Sequence, residues 1–382
     1  MKQFLALLVL FFFAPATRPQ PMATVIHLNV LGNMTTASQQ SVQKYLLNNK
    51  AVSGASLVLQ WADFDYGAEG YNFKLLDTGI APWAAAGKKV NLIIWANADS
   101  SADTCTNSGQ SGVGNCAVPA YEWQKLTAGG YVSCGSQYGS QYGSQYGSQY
   151  GTQYGTQYGT QYGTRRMPNY FATSWQKDYQ AAQQALALHL KGNKSIGYIR
   201  FGLGSGGETF PGDNWNNKST PCGQAYAQWG LTADTWMTKY LLPMIEFIGS
   251  KPMQLGTFMV GITPMGVPSA QVPDYIALIA EPLGIGIGSQ GFQKSDINHC
   301  STSVADWCNL FQKYPRGIHE LQTYLQSCTN NNCTTGSLMN LIPWAEEETP
   351  GDLELEIYLN DWLTAYDPSY PGYDKAYQQV LK

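Results

Sequence analysis

Eight short β-rich runs recur along this chain with helix-like segments between them, and that alternation limits the fold more than any other feature. The runs are Val25–Val30, Ser56–Trp61, Val90–Trp95, Ile196–Leu203, Leu255–Gly261, Leu283–Ser289, Gly317–Gln322 and Leu353–Leu359. Helical segments are expected at Ser38–Asn48, Phe73–Ala86, Tyr170–Leu190, Thr232–Gly249, Pro273–Ala280 and Ser303–Lys313, with a shorter one between Thr335 and Trp344. Strand-helix alternation implies parallel strands joined by crossover helices. Eight such units close naturally into a (β/α)8, or TIM, barrel, an α/β fold. The rival is a doubly wound open sheet. It usually has fewer strands, and no G-x-G-x-x-G follows the first run.

Residue parity within the runs carries a second message. In Leu353–Leu359 the odd positions are all apolar, while Glu354, Glu356 and Tyr358 fill the even ones. In 283–288 large residues alternate with glycine, and in 197–203 the even positions hold Tyr198, Arg200 and Gly202. A barrel strand turns one face to the helices and the other to the lumen. The small and polar sets therefore face inward, where a core without a site would carry branched apolar residues. Chemistry is expected inside the barrel.

Only 13% of the 382 residues are charged, against about 25% in a typical protein, and the formal net charge is −4. A nucleic-acid binder shows a basic face, so that class is set aside. Low charge with 11 Trp and 25 Tyr suits a secreted protein that meets neutral, hydroxylated ligands. Lys2, the apolar run Phe4–Phe13 and Ala14-Pro15-Ala16 have the form of a secretory signal peptide. Residues 1–16 are expected to be removed, leaving a barrel domain over 17–382. No later run reaches the roughly 20 apolar residues of a membrane span.

Eight cysteines, an even number, suggest disulfides in an oxidising compartment. Short loops make Cys105–Cys116, Cys300–Cys308 and Cys328–Cys333 natural pairs, which leaves Cys134–Cys222. No C-x-x-C occurs and only His299 lies near a cysteine, so neither a metal nor a cofactor is expected. Glycosylation sequons start at Asn33, Asn193, Asn217 and Asn332. Between strand 3 and helix 3, residues 135–164 form a tetrapeptide repeat, four copies of Gly-Ser-Gln-Tyr and then three of Gly-Thr-Gln-Tyr. A period of four matches neither strand nor helix, and its glycines penalise both. It reads as a low-complexity loop insertion capable of self-association.

The chain has 11 glutamates, so their positions are informative. Glu208 follows the fourth run in Gly204-Ser205-Gly206-Gly207-Glu208, and Glu320 lies near the end of the seventh. Sites of such barrels lie at the C-terminal strand ends, so both carboxyls are expected at one mouth. Glycoside hydrolysis needs such a pair: one acid protonates the leaving oxygen, and one carboxylate attacks the anomeric carbon or activates water. The glycines before Glu208 are expected to let backbone approach a sugar closely. Trp61, Trp95, Trp215 and Trp362 are candidate stacking platforms, and Asp63, Asn97 and Gln290 candidate partners for hydroxyls. Arg200 is expected inward, below Glu208, where it keeps a carboxylate ionised. Glu356, with Glu354, faces inward from the eighth strand as a substrate ligand, an orienting group or a rival nucleophile. Ser205 lacks the G-x-S-x-G register of a nucleophile elbow.

This placement of Glu208 and Glu320 resembles the large clan of (β/α)8 glycoside hydrolases with catalytic glutamates after strands four and seven. The resemblance spans the barrel from roughly Ala23 to the C-terminus, without the repeat. It implies a secreted O-glycosyl hydrolase of oligo- or polysaccharides, probed best as a retaining enzyme with Glu208 as acid/base and Glu320 as nucleophile. Many members carry Asn before the acid/base, where this chain has Gly207. Ser56–Asp63 and Leu355–Pro368 are similar to segments of secreted glycosidase-like barrels. The alternative is a non-catalytic glycan-binding or extracellular matrix protein whose tyrosine-rich repeat mediates assembly.

Overall fold

The computed structural model describes residues 22–30, 43–44, 46–49, 52–97, 117–126, 129–134, 165–205, 207–212, 218–250, 258–262, 271–292, 307–316, 318–323, 328–329, 332–333, 344–345 and 352–358. Eight strands form its centre: β1 Met22–Val30, β2 Gly54–Gln60, β3 Lys89–Trp95, β4 Ile196–Phe201, β5 Phe258–Ile262, β6 Gly286–Phe292, β7 Ile318–Thr323 and β8 Asp352–Tyr358. Every pairing among them is parallel, in the order β1-β8-β7-β6-β5-β4-β3-β2. β1 also pairs with β2, which closes the ring. Each of the eight expected runs overlaps one of these strands. The expected signal peptide and the repeat lie outside the described residues.

Alternation sorts the strand residues into two environments. Leu57, Leu59, Leu92, Ile94, Ile199, Phe201, Ile287, Leu321, Leu355 and Ile357 join one apolar cluster with the helices. The opposite parity carries Ser56, Asn91, Tyr198, Arg200, Glu320 and Glu356, all buried. Helix α1 (Lys74–Ala85) contributes Leu76, Ile80 and Trp83 to the outer cluster, and α2 (Thr173–His189) contributes Trp175, Tyr179, Ala182 and Leu186. Two helices were not foreseen, Ala120–Lys125 and Pro221–Gln228. The first is six residues long, too short to show a clear 3.6-residue period, and the second is rich in polar and small residues. The second begins with Thr220 accepting a hydrogen bond from Gly223 N–H and Pro221 at its first position.

The segment expected as one helix over Thr232–Gly249 is three pieces: Ala233–Trp236, a π turn at Met237–Leu241, and Leu242–Ser250. Pro243 causes the break, because it lacks an N–H and its ring crowds the carbonyl four residues earlier. That carbonyl, Lys239 O, accepts from Gln176 Nε2 at 3.4 Å.

Two antiparallel pairs lie outside the barrel. Tyr131–Cys134 pairs with Arg165–Pro168, ending with Cys134 opposite Arg165, the two residues that flank the repeat in sequence. Cys328 lies opposite Cys333 in the second pair. Cys222 and Cys308 are disulfide-bonded.

Candidate active site

Arg200, next to last in β4, is the centre of the polar interior. Its Nη1 donates to Glu320 Oε1 at 2.7 Å and to Glu356 Oε2 at 3.4 Å. Its Nη2 lies 3.7 Å from Glu208 Oε1. One guanidinium thus gathers carboxyls from β7, from β8 and from the loop after β4. The strand register explains the first two: Glu320 aligns with Glu354, and Glu356 with Gln322, on neighbouring β7 and β8. On the other side Glu320 aligns with Gly288 of β6, which brings no side chain. Glu356 Oε1 also accepts from Tyr198 Oη at 2.7 Å and from the Ser56 hydroxyl.

Glu208 is positioned by its backbone. Its carbonyl accepts from Leu203 N–H at 2.9 Å and Gly204 N–H at 2.7 Å, while Ser205 N–H donates to Phe210 O at 2.9 Å. Gly202, Gly204 and Gly207 are required by the packing of this turn itself. A Cβ at Gly204 would lie 1.9 Å from Phe210 O, and one at Gly202 2.5 Å from Gly207 Cα. Gly207 has φ +79, and a Cβ there would meet Trp95 Cδ1 at 2.7 Å. The space beside Trp95 and Ile93 does not admit Asn at this position.

Aromatic donors from the helix layer fasten the same turn from outside. Tyr179 Oη donates to Gly202 O at 2.7 Å and Trp236 Nε1 to Thr209 O at 2.9 Å. Tyr170 and Tyr226 hydroxyls both donate to Pro211 O, at 2.8 and 3.1 Å. Tyr170 and Trp236 pack edge to face, with centroids 5.1 Å apart.

The environments of the carboxyls separate their acidities. Burial, offset by Arg200 and reinforced by the charge of Glu356, holds Glu320 well above the usual carboxylate range. Burial acts on Glu356 in the same direction, but hydrogen bonding to Glu320, the Arg200 charge and the Ser56 and Tyr198 hydroxyls outweigh it and hold it low. Asp63, in the turn Trp61–Asp63 after β2, is pushed up to about 6 by burial, despite accepting Gln60 N–H at 2.9 Å. Among the described residues no cluster of His, Cys, Asp or Glu is placed to hold a metal ion.

Several expected site residues stand elsewhere. Glu320 is in the middle of β7 and fully enclosed, not at the mouth; Gln322 is the inward residue one step nearer the C-terminal end. Trp61 is fully buried against Trp175 and Tyr179, and its Nε1 donates to Asp65 Oδ2, so it is core rather than a platform. Asn97 is also fully buried and donates to Tyr170 Oη at 2.7 Å, bracing the aromatic layer. Glu356 takes its hydrogen bonds from the protein and has no exposed surface. Trp95 is half-buried beside Gly207, and Asp63 is buried. Trp215 and Trp362 lie outside the described residues, and Gln290 is described by its backbone alone. Ser56 and Tyr198 were missed as partners of Glu356, although their parity places both inward.

No family model matches the chain, and no curated protein matches it. Among solved structures it is similar to the catalytic domain of beta-amylase from Paenibacillus polymyxa. The TM-score is 0.57 at 11% identity, over 90% of this chain and 94% of that one. The likeness is one of fold, an α/β arrangement of parallel strands.

Proposed function

We propose that the protein is a secreted glycoside hydrolase built on a (β/α)8 barrel and acting on an oligo- or polysaccharide without a cofactor. The observation that carries this reading is the convergence of Glu208 and Glu320 on Arg200, at 3.7 and 2.7 Å, from separate chain segments. Glu208 acts as acid/base, giving its proton to the leaving oxygen and later taking one from water. Glu320, once ionised, attacks the anomeric carbon. Arg200 holds both carboxyls at ion-pair distance and offsets the charge that develops. Trp95 offers a ring face beside the Glu208 turn. The fold likeness to a beta-amylase catalytic domain supports the class and leaves the glycan open.

A second reading, a non-catalytic glycan-binding or assembly protein, is favoured by one observation: Glu320 and Glu356 are fully enclosed. That is the placement of a charge network serving the fold. The two readings part in one experiment. Reducing-sugar release from a panel of glycans is measured for the wild type and for Glu208→Gln and Glu320→Gln, alongside melting temperature. Loss of release with melting preserved supports hydrolysis. No release from any glycan by the wild type, with a Glu320→Gln protein that melts early, supports the fold network.

A further inference from the structure

Among the described residues three carboxyls face a single cation inside the barrel, and the arithmetic of charge does not close if all are ionised. Glu320 and Glu356 have no exposed surface, and Arg200 and Glu208 are each 4% exposed. Among the described residues, the remaining titratable groups facing the pair are Tyr198 from β4 and Glu354 from β8. Neither supplies positive charge. An ionised carboxylate without a compensating partner in a dry interior is costly enough that the group takes up a proton instead.

Donor placement decides which carboxyl keeps that proton. Glu356 receives the Ser56 hydroxyl, the Tyr198 hydroxyl and Arg200 Nη1. Glu320 receives Arg200 on Oε1, and its Oε2 meets no donor. Donors favour the charged form, so the charge settles on Glu356 and the proton on Glu320. Both carboxyls lie against the same Arg200 Nη1, at 2.7 and 3.4 Å, so a protonated Glu320 sits beside the charged Glu356 and donates to it.

We propose that Glu320 and Glu356 hold one proton between them over Arg200, and that Glu356 is a positioning residue that governs when Glu320 becomes charged. In kinetics this rests on the reading of Glu320 as nucleophile. Attack requires the carboxylate, so the Glu320 O–H bond must first break, its electron pair staying on Glu320 and its proton passing to water. The acidic limb of kcat/KM reports that step as a property of the pair.

The test has two arms. In the Glu356→Gln protein the like charge is gone and an amide N–H replaces it as a donor to Glu320. Both changes favour ionised Glu320, so the acidic limb moves to lower pH by about one unit or more. A merely structural Glu356 would change melting without moving the limb. The second arm needs no substrate: carboxyl-13C-glutamate labelling of the full wild-type chain, read by NMR or infrared across pH. Burial and Asp178 push Glu122 up to about 8, so it contributes one protonated glutamate at neutral pH. A further such signal, assigned to Glu320 by its loss in Glu320→Gln, is expected at pH 7. An unmoved limb in a folded, active Glu356→Gln protein overturns the proposal, as does a wild type with no protonated glutamate beyond Glu122. If no glycan is cleaved, the proposed function fails, yet the carboxyl signal still decides whether the proton is shared.

Discussion

Replacing Arg200 by Met removes the only cation within ion-pair distance of Glu208, Glu320 and Glu356 among the described residues, while roughly keeping its volume. Breaking a buried pair by deleting one partner costs about 3–5 kcal/mol, because the charge left behind is uncompensated. At about 2 °C or less per kcal/mol for a chain of this size, the melting temperature at pH 7 should fall by roughly 5–10 °C. The pH dependence identifies the cause. Glu356 has a lowered pKa in the folded protein, so its contribution is present above the ordinary carboxylate range and lost as pH falls through the folded value. Without Arg200 that carboxyl protonates more readily, and the uncompensated charge disappears on acidification. The deficit of Arg200→Met should therefore be largest near pH 7 and shrink toward about 1 kcal/mol, an ordinary packing change, by pH 4. Thermal unfolding followed by circular dichroism at both pH values measures this. An equal deficit at pH 7 and pH 4 would refute the electrostatic account and reduce Arg200 to a packing residue.

Three other perturbations follow from the geometry. Gly207→Ala should cost about 2–4 kcal/mol, combining left-handed backbone strain with the clash against Trp95, and a melting change within 1 °C would contradict it. Asp63→Asn should stabilise at pH 8 by roughly 1–3 kcal/mol and much less at pH 4. The sign follows because a carboxyl pushed up to about 6 favours the fold when protonated and opposes it once pH rises past that value. Urea titrations at the two pH values decide it. Replacing Gly135–Tyr162 by a short Gly-Ser turn should shift melting by no more than a few degrees, since Cys134 and Arg165 already face each other across an antiparallel pair. Loss of soluble protein on that replacement would mean that the repeat packs on the domain.

The strands were legible because parity leaves a mark at every second residue, and Leu355 and Ile357 against Glu354 and Glu356 could hardly be divided otherwise. Arg200 was legible for the same reason. Residues just past a strand end were not. Trp61 follows β2 by one position, where the chain enters a 3-10 turn, and alternation no longer says which way a side chain points. Depth along the lumen was equally hidden. Sequence ranks Glu320 and Gln322 as the same face, but only the register with β6 and β8 sets Glu320 in the enclosed layer. The role of the glycines before Glu208 depended on what lay opposite them, namely Phe210 and Trp95, and no local pattern encodes that.

The four aromatic side chains that hydrogen-bond the Glu208 turn come from helices and their approaches, not from the barrel strands. The turn therefore has no shape of its own to carry elsewhere. Transplanting residues 202–212 into another barrel would move the carboxylate but leave behind Tyr170, Tyr179, Tyr226 and Trp236. A working graft would have to take α2, the Pro221–Gln228 helix and the helix beginning at Ala233 as one block. By the same logic, chance variation in this chain is freest where those helices face solvent and most confined where they face the turn, so the outer layer inherits the constraints of the carboxylate it holds in place.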